Sequence, residues 1–173
     1  MTTWAVLATG PSMSVEVARS VMHKCAVVVV SDAYKLAPWA DAMVSADRAW
    51  WVANPEAQKM PCPKYCGFTV DTPPGIKKLD DAISGSNSGL LGIKVAISKG
   101  AKRVLLLGFD MGGSHYFGPH QPPLKNTKPE RFRIFIEQFR RYRPKDVSII
   151  NCTPGSKLDA YPMKALDACL PKS

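Results

Sequence analysis

Short apolar runs alternate with stretches of helical periodicity along this chain of 173 residues, and this alternation restricts the fold more than any other feature. Residues 4–8, 25–30 and 103–107 read as buried strands, because each is a short run dominated by apolar and β-branched residues. A turn with polar residues or glycine follows each run. Strand followed by helix, repeated along the chain, predicts a mostly parallel sheet with helices on both faces.

The stretches between these strands predict the other elements. Residues 13–22, 88–99 and 130–142 place apolar side chains at helical spacing, and residues 147–150 read as a last strand. Weaker patterns predict a short strand at 42–45, a helical turn carrying Trp50 and Trp51, edge strands at 59–62 and 68–70, and a terminal helix at 162–170. Together these elements predict an α/β protein.

Length and composition fit one domain that spans residues 1–173. An apolar fraction of 46% is enough for a full hydrophobic core in a chain of this size. The longest apolar run, residues 25–30, is too short to span a membrane, so no membrane partner is expected. The N-terminus lacks the basic segment and apolar stretch of a secretory signal, and we therefore expect a cytoplasmic protein.

Two glycine-containing turns stand where a helix is predicted to begin. Thr9-Gly10-Pro11-Ser12 follows the first apolar run, and Gly85-Ser86-Asn87-Ser88-Gly89 precedes the helix at 88–99. Free N–H groups and the positive end of the helix dipole attract phosphate at such a point. Helix capping by serine is the alternative for each turn, since neither carries a complete dinucleotide or P-loop motif. Because the two turns occur together, we favour a nucleotide site.

Polar residues after the predicted strands extend this site. Ligands of parallel α/β sheets gather beyond the carboxyl ends of the strands. The candidate nucleotide-binding residues at that edge are Thr9, Gly10, Ser12, Ser31, Asp32, Asp47, Asn87, Ser88 and Gly89. Any of the aspartates could instead cap a helix. With no Asp-x-Asp pattern, and with Cys62 and Cys66 lacking a second ligand pair nearby, we expect no metal and no cofactor beyond a nucleotide-type substrate or ligand.

A loop rich in glycine and proline, residues 112–129, carries His115, Tyr116 and His120. Such side chains can donate to phosphate oxygens or exchange protons near neutral pH. A lone surface histidine is more often idle, but two histidines and a tyrosine in one long loop favour function. The candidate catalytic residues are therefore His115, His120 and Asp110, and Tyr116 is a candidate nucleotide-binding residue.

The net charge of +9 is unevenly spread, because the segment from Lys125 to Lys145 contributes +6 of it. A local basic patch indicates an anionic partner, either nucleotide phosphates or a polyanion. The predicted helix at 130–142 also has the apolar face of a helix that packs on a sheet, which would leave its arginines solvated. Nucleic-acid binding by this segment therefore stays an alternative.

Two blocks of the chain resemble known families. Ala8-Thr9-Gly10-Pro11-Ser12 resembles the Gly-x-Gly-Pro-Ser opening of the family 42 sialyltransferases and of related 6-hydroxymethylpterin diphosphokinase-like proteins. Residues 87–91 and 100–111 resemble their second block, in which Ser-Gly opens a helix and Gly-Ala-Lys leads to a strand ending in Gly-x-Asp. The match covers about half of the chain, in the same order.

This resemblance implies a Rossmann-like three-layer sandwich and a metal-independent transferase that uses a nucleotide-activated donor. It also implies a bacteriophage-type member, and hence the host cytoplasm. In the sialyltransferases both blocks lie against the nucleotide, a polar contact follows the second strand, and lid tyrosines bind phosphate. The corresponding residues here are Gly10, Ser12, Ser31, Ser88, Gly89 and Tyr116.

The chain departs from these families at several points. Thr9 replaces the usual glycine or asparagine, the chain is much shorter, and the lid that carries their catalytic base does not align. Nucleotide binding is therefore better supported than sialyl transfer. The alternatives are a non-catalytic module that binds or sequesters a nucleotide, and a basic nucleic-acid-associated protein; whether the chain forms a homo-oligomer is open.

Overall fold

A computed structural model of the protein describes residues 2–68, 71–79 and 87–171. The strands within these ranges are β1 (Thr3–Leu7), β2 (Ala26–Val30), β3 (Ala42–Val44), β4 (Lys64–Cys66), β5 (Ile76–Lys78), β6 (Arg103–Leu107) and β7 (Ser148–Asn151). They form one sheet in the order β5-β4-β3-β2-β1-β6-β7, and each strand runs parallel to its neighbours. The predicted α/β architecture is confirmed.

The α-helices in the described ranges connect these strands. They are α1 (Val15–Ser20), α2 (Arg48–Ala53), α3 (Ser88–Ser98) and α4 (Pro129–Arg141), with 3₁₀ helices at Ser31–Lys35, Pro55–Lys59 and Leu166–Ala168. No helix in the described ranges is long and apolar enough to cross a membrane.

Alternate side chains of each strand face opposite layers of the core, as the period of a β-strand requires. In β1, Ala5 and Leu7 pack with α1 and with the tryptophans of α2. Val6 faces the other side, where it packs with α3 and with Phe139 of α4. Helices therefore cover both faces of the sheet, which is the three-layer sandwich expected from the sequence.

The order in which the strands are connected places a crevice beside β1, the strand at which the chain changes direction across the sheet. The chain steps from β1 through β2, β3 and β4 to β5, and then returns to lay β6 on the other edge of β1. The helices that follow β1 and β6, α1 and α4, thus pack on opposite faces of the sheet. Ligands of parallel sheets bind at such a switch point.

Two predicted elements are wrong, and in both cases backbone groups have other partners. Residues 59–62 form no strand; the pairing strand is β4, whose Tyr65 lies beside Val44. Residues 162–170 form no α-helix, because Asn151 of β7 donates its N–H to Pro162 and accepts one from Lys164. That segment thereby covers the edge of β7. Of the strand predicted at 68–70, only residue 68 lies within the described ranges, outside any strand.

Candidate functional site

A cavity of about 670 Å³ lies at the carboxyl ends of the strands, within the range of 300–1,000 Å³ that is typical of small-molecule sites. Most of the residues predicted for the site line it: Thr9, Gly10, Ser31, Asp32, Asp47, Asn87, Ser88, Gly89, His115 and His120. Ser12, Asp110 and Tyr116 are not among the lining residues. The sequence therefore located the cavity, but three of the predicted residues serve elsewhere.

The turn after β1 is held tightly against the loop after β6. The N–H of Gly10 donates to the carbonyl oxygen of Gly108 at 2.9 Å, and the Ser12 hydroxyl donates to Oδ2 of Asp110 at 2.8 Å. A Cβ added to Gly10 would lie 1.9 Å from that same Oδ2. The Gly10 N–H is thus committed to the fold, which corrects its assignment as a phosphate donor. Asp110 and Ser12 position the turn and do not reach the cavity.

Residues 87–89 of the second turn, at the start of α3, line the cavity. Gly85 and Ser86 of that predicted turn lie outside the described residues. Asn87 caps the helix, since its Oδ1 accepts the N–H of Leu90 at 3.0 Å. Ser88 Oγ accepts the N–H of Ala46 at 2.9 Å, which leaves the hydroxyl hydrogen for another acceptor. The N–H groups of Ser88 and Gly89 have no acceptor within the helix because they belong to its first turn.

Asp32, a candidate nucleotide-binding residue, anchors the loop after β6 and α2 to the end of β2. Its buried carboxylate accepts a hydrogen bond from the Lys35 ammonium and another from the Trp50 indole N–H, each at 2.7 Å. The hydroxyl of Tyr116 donates to the backbone oxygen of Asp32, also at 2.7 Å. Burial and the Asp32 charge raise the pKa of Tyr116 to about 12. Tyr116 therefore holds the loop in place as a neutral phenol.

Two residues that line the cavity have a strained backbone. Ser31 and Met111 have φ angles of 47° and 56°, in the left-handed region that residues with a side chain seldom adopt. Each such residue costs about 1–3 kcal/mol, and strained residues of this kind cluster at functional sites.

Asp47 has a structural role. Its carboxylate caps α2 by accepting the N–H of Ala49 at 2.9 Å.

The two histidines of the loop after β6 lie close together. Their ring centroids are 4.4 Å apart, and the His115 ring is stacked on Phe117 at 4.9 Å. Nδ1 of His115 lies 2.8 Å from Oγ1 of Thr9, which fixes the ring against the end of β1. Burial, and then the neighbouring His120, lower the pKa of His115. His115 is therefore neutral near pH 7 and able to accept a proton.

Part of the cavity wall comes from the basic segment. Lys125, Lys128 and Arg131 line the cavity, as do Phe132 and Phe135 of α4. From the sequence, this segment was expected to meet an anionic partner, either nucleotide phosphates or a polyanion, but its place at the cavity was not predicted. The position of these cations in the chain was the available signal: the loop after β6 begins at the cavity and leads directly into α4.

The other end of the basic segment holds the fold together. Arg140 donates from Nε and Nη2 to the two carboxylate oxygens of Asp159, at 2.9 and 2.6 Å, and lowers the pKa of that carboxyl. The Arg143 guanidinium lies 5.3 Å from the centre of the Tyr161 ring. The segment Lys125–Lys145 is thus divided between the cavity at one end and structural contacts at the other.

Within residues 2–68, 71–79 and 87–171, no group of three or more His, Cys, Asp or Glu side chains is arranged to hold a metal ion. The cysteines are free thiols, Cys62 and Cys66 included.

The chain matches no protein-family model, and no curated protein or solved structure is significantly similar to it. The chemistry of the cavity is therefore inferred from the residues that form it.

Proposed function

We propose that the protein binds a nucleotide in this cavity and transfers a group from a nucleotide-activated donor. The observation that carries the proposal is the convergence of three features on one cavity at the switch point of the sheet. These are the first turn of α3, the cationic wall at Lys125–Arg131, and the pair of His115 and His120. Phosphate needs donors and positive charge, and group transfer needs a proton acceptor.

In the proposed complex the nucleotide contacts two walls of the cavity, one at the start of α3 and one on α4. The hydroxyl hydrogen of Ser88 and the N–H groups at the start of α3 donate to phosphate or ribose oxygens. The rings of Phe132 and Phe135, 6.5 Å apart, offer apolar surface on which a base can pack.

The chemical part of the proposal uses a histidine as the base. An acceptor hydroxyl gives its proton to His120 while its oxygen forms a bond to the donor carbon. The bond from that carbon to the nucleotide phosphate breaks, and its electron pair leaves on the phosphate oxygen. Lys125 and Arg131 stabilise the charge that develops there, a role that a divalent metal fills in other transferases. His115, held by Thr9, fixes the position of the neighbouring imidazole.

Ligand-induced stabilisation tests the binding part. Nucleoside mono- and diphosphates and nucleotide sugars are added to the protein, and the melting temperature is recorded. A ligand at 100 times its Kd stabilises the native state by about 2.7 kcal/mol, which gives a readily measured rise. Ser88→Ala should weaken this rise. Ser98→Ala is the matched control, because Ser98 lies at the other end of α3 and donates to Val95. No rise with any nucleotide would reject the proposal.

Donor hydrolysis tests the chemical part, with water as the acceptor. Mass spectrometry follows the release of free nucleotide from whichever nucleotide sugar stabilises the protein. His120→Ala should slow this release by about 10²–10⁴-fold while leaving nucleotide affinity largely unchanged. If the unmodified protein binds nucleotides but releases no product from any donor, it is a sequestering module and the transferase assignment is wrong.

A further inference from the structure

Two lysines on the cavity wall have no carboxylate partner among the residues that the structure describes. Lys125 and Lys128 line the cavity, and neither forms an ion pair with any residue in the described ranges. The carboxylates that line the same cavity within the described ranges, Asp32 and Asp47, already have partners. Asp32 is paired with the Lys35 ammonium, and Asp47 caps α2. The wall at Lys125 and Lys128 therefore presents positive charge to whatever fills the cavity.

We infer that Lys125 and Lys128 form a clamp for a diphosphate, so that the ligand is a nucleoside diphosphate or a donor linked through two phosphates. The nucleoside part of this inference rests on the proposed function. A donor linked through one phosphate carries one negative charge in that linkage, whereas a diphosphate linkage carries two. Two lysines, each a compact charge on a flexible stem, match the second case.

The cavity that these two exposed lysines share with other groups favours a small molecule over a nucleic-acid backbone. A surface that follows a polyanion presents its cations along an extended face or groove. Here the two lysines share one cavity with the histidine pair and with Phe132. Farther along α4, Arg140 is held by Asp159.

Isothermal calorimetry with paired ligands tests the clamp. The probes are ADP with AMP, UDP with UMP, CDP with CMP and GDP with GMP, together with inorganic pyrophosphate and phosphate. The variant Lys125→Met/Lys128→Met removes both charges while keeping side chains of similar length. Lys145→Met is the matched control, an exposed lysine of the same basic segment that does not line the cavity. Melting temperatures establish that both variants fold.

The unmodified protein and the control should bind one diphosphate about tenfold more tightly than the matching monophosphate, and the double variant should lose this preference. Equal affinity for the two ligands, or a preference that survives in the double variant, would overturn the clamp while leaving nucleotide binding intact. Binding of pyrophosphate in preference to phosphate, lost in the double variant but without binding of any nucleotide, would keep the clamp and reject the proposed function. No binding of any of these anions would reject both.

Discussion

The two glycine-containing turns look alike in the sequence but have different duties in the structure. The turn at Gly10 is fastened to the loop after β6, where its N–H is bound to Gly108 and no space is left for a Cβ. The turn at Ser88 and Gly89 faces the cavity with the first N–H groups of a helix of eleven residues. Helix length adds to the contrast, because α1 has six residues and is already capped by Ser14.

This difference shows that a glycine at a strand end can be required for either of two physical reasons. It can let a backbone approach a ligand, or it can let one loop of the protein approach another. At a switch point both are needed, because the loops from two neighbouring strands must pack before a crevice of fixed shape exists. The turn at Gly10 builds the crevice, and the turn at α3 presents donors to it.

Gly10→Ala should have the largest effect on this arrangement. The added Cβ would lie 2.4 Å from the carbonyl oxygen of Gly108, and backbone cannot swing aside as a side chain can. We expect the free energy of unfolding to fall by about 3 kcal/mol or more, measured by urea denaturation. Gly112→Ala is the control. Its Cβ would meet only the Lys157 side chain, at 3.4 Å, and should cost less than about 1 kcal/mol. Equal losses for the two variants would contradict the tight packing at Gly10.

Gly89→Ala should have a smaller effect. Its Cβ would come within 2.9 Å of the ring of Phe109, a side chain that is buried against Phe139. Alanine is the better helix former by about 1 kcal/mol, which offsets part of an overpacking cost of 1–3 kcal/mol. We therefore expect a loss of about 1 kcal/mol by the same measurement. A loss as large as that of Gly10→Ala would show that the two turns are packed equally tightly and would remove the contrast between them.

Lowering the pH should have the smallest effect on the free energy of unfolding. It bears on the same comparison, because His115 ties the loop after β6 to the turn after β1. The folded protein holds the pKa of His115 below the ordinary value of 6.5. The unfolded chain therefore takes up the proton first as the pH falls, and stability is lost from about pH 6.5 downward until His115 protonates in the folded state as well. His115→Gln should reduce this loss, measured as the free energy of unfolding between pH 7.5 and 5. An unchanged pH dependence in the variant would contradict the burial of a neutral imidazole.

Much of the fold could be predicted from local pattern. The central strands β1, β2 and β6 are apolar runs with few alternatives, and α3 and α4 have clear helical spacing between recognisable ends. The last strand, β7, was also predicted, but β4 and β5 at the other edge of the sheet could not be found this way. In β5 only Ile76 is buried, since an edge strand needs little apolar surface, and its position depends on pairing with β4.

The site could be predicted in outline, because polar residues at strand ends must converge in a parallel sheet. The individual roles could not. Asp110 and Asp32 have the residue type that suits catalysis or ribose binding, but their partners, Ser12 and Trp50, are decided by packing between distant segments. For Lys125 and Lys128 the sequence left nucleotide phosphates and a polyanion open as partners, because only the path of the loop after β6 brings these lysines to the cavity.

The order of strands in the sheet also governs the order in which the protein is completed. Thr3 of β1 pairs with Arg103 of β6. One edge of β1 therefore stays unpaired until a strand 100 residues later in the chain has been synthesised. At roughly 5–20 residues per second, a ribosome leaves that apolar edge open for several seconds after β2 has emerged. An open strand edge is a template for pairing with other chains. The centre of the finished sheet is therefore the part most open to pairing with other chains during synthesis. The cavity beside it forms only when β6 and the loop after it have been made.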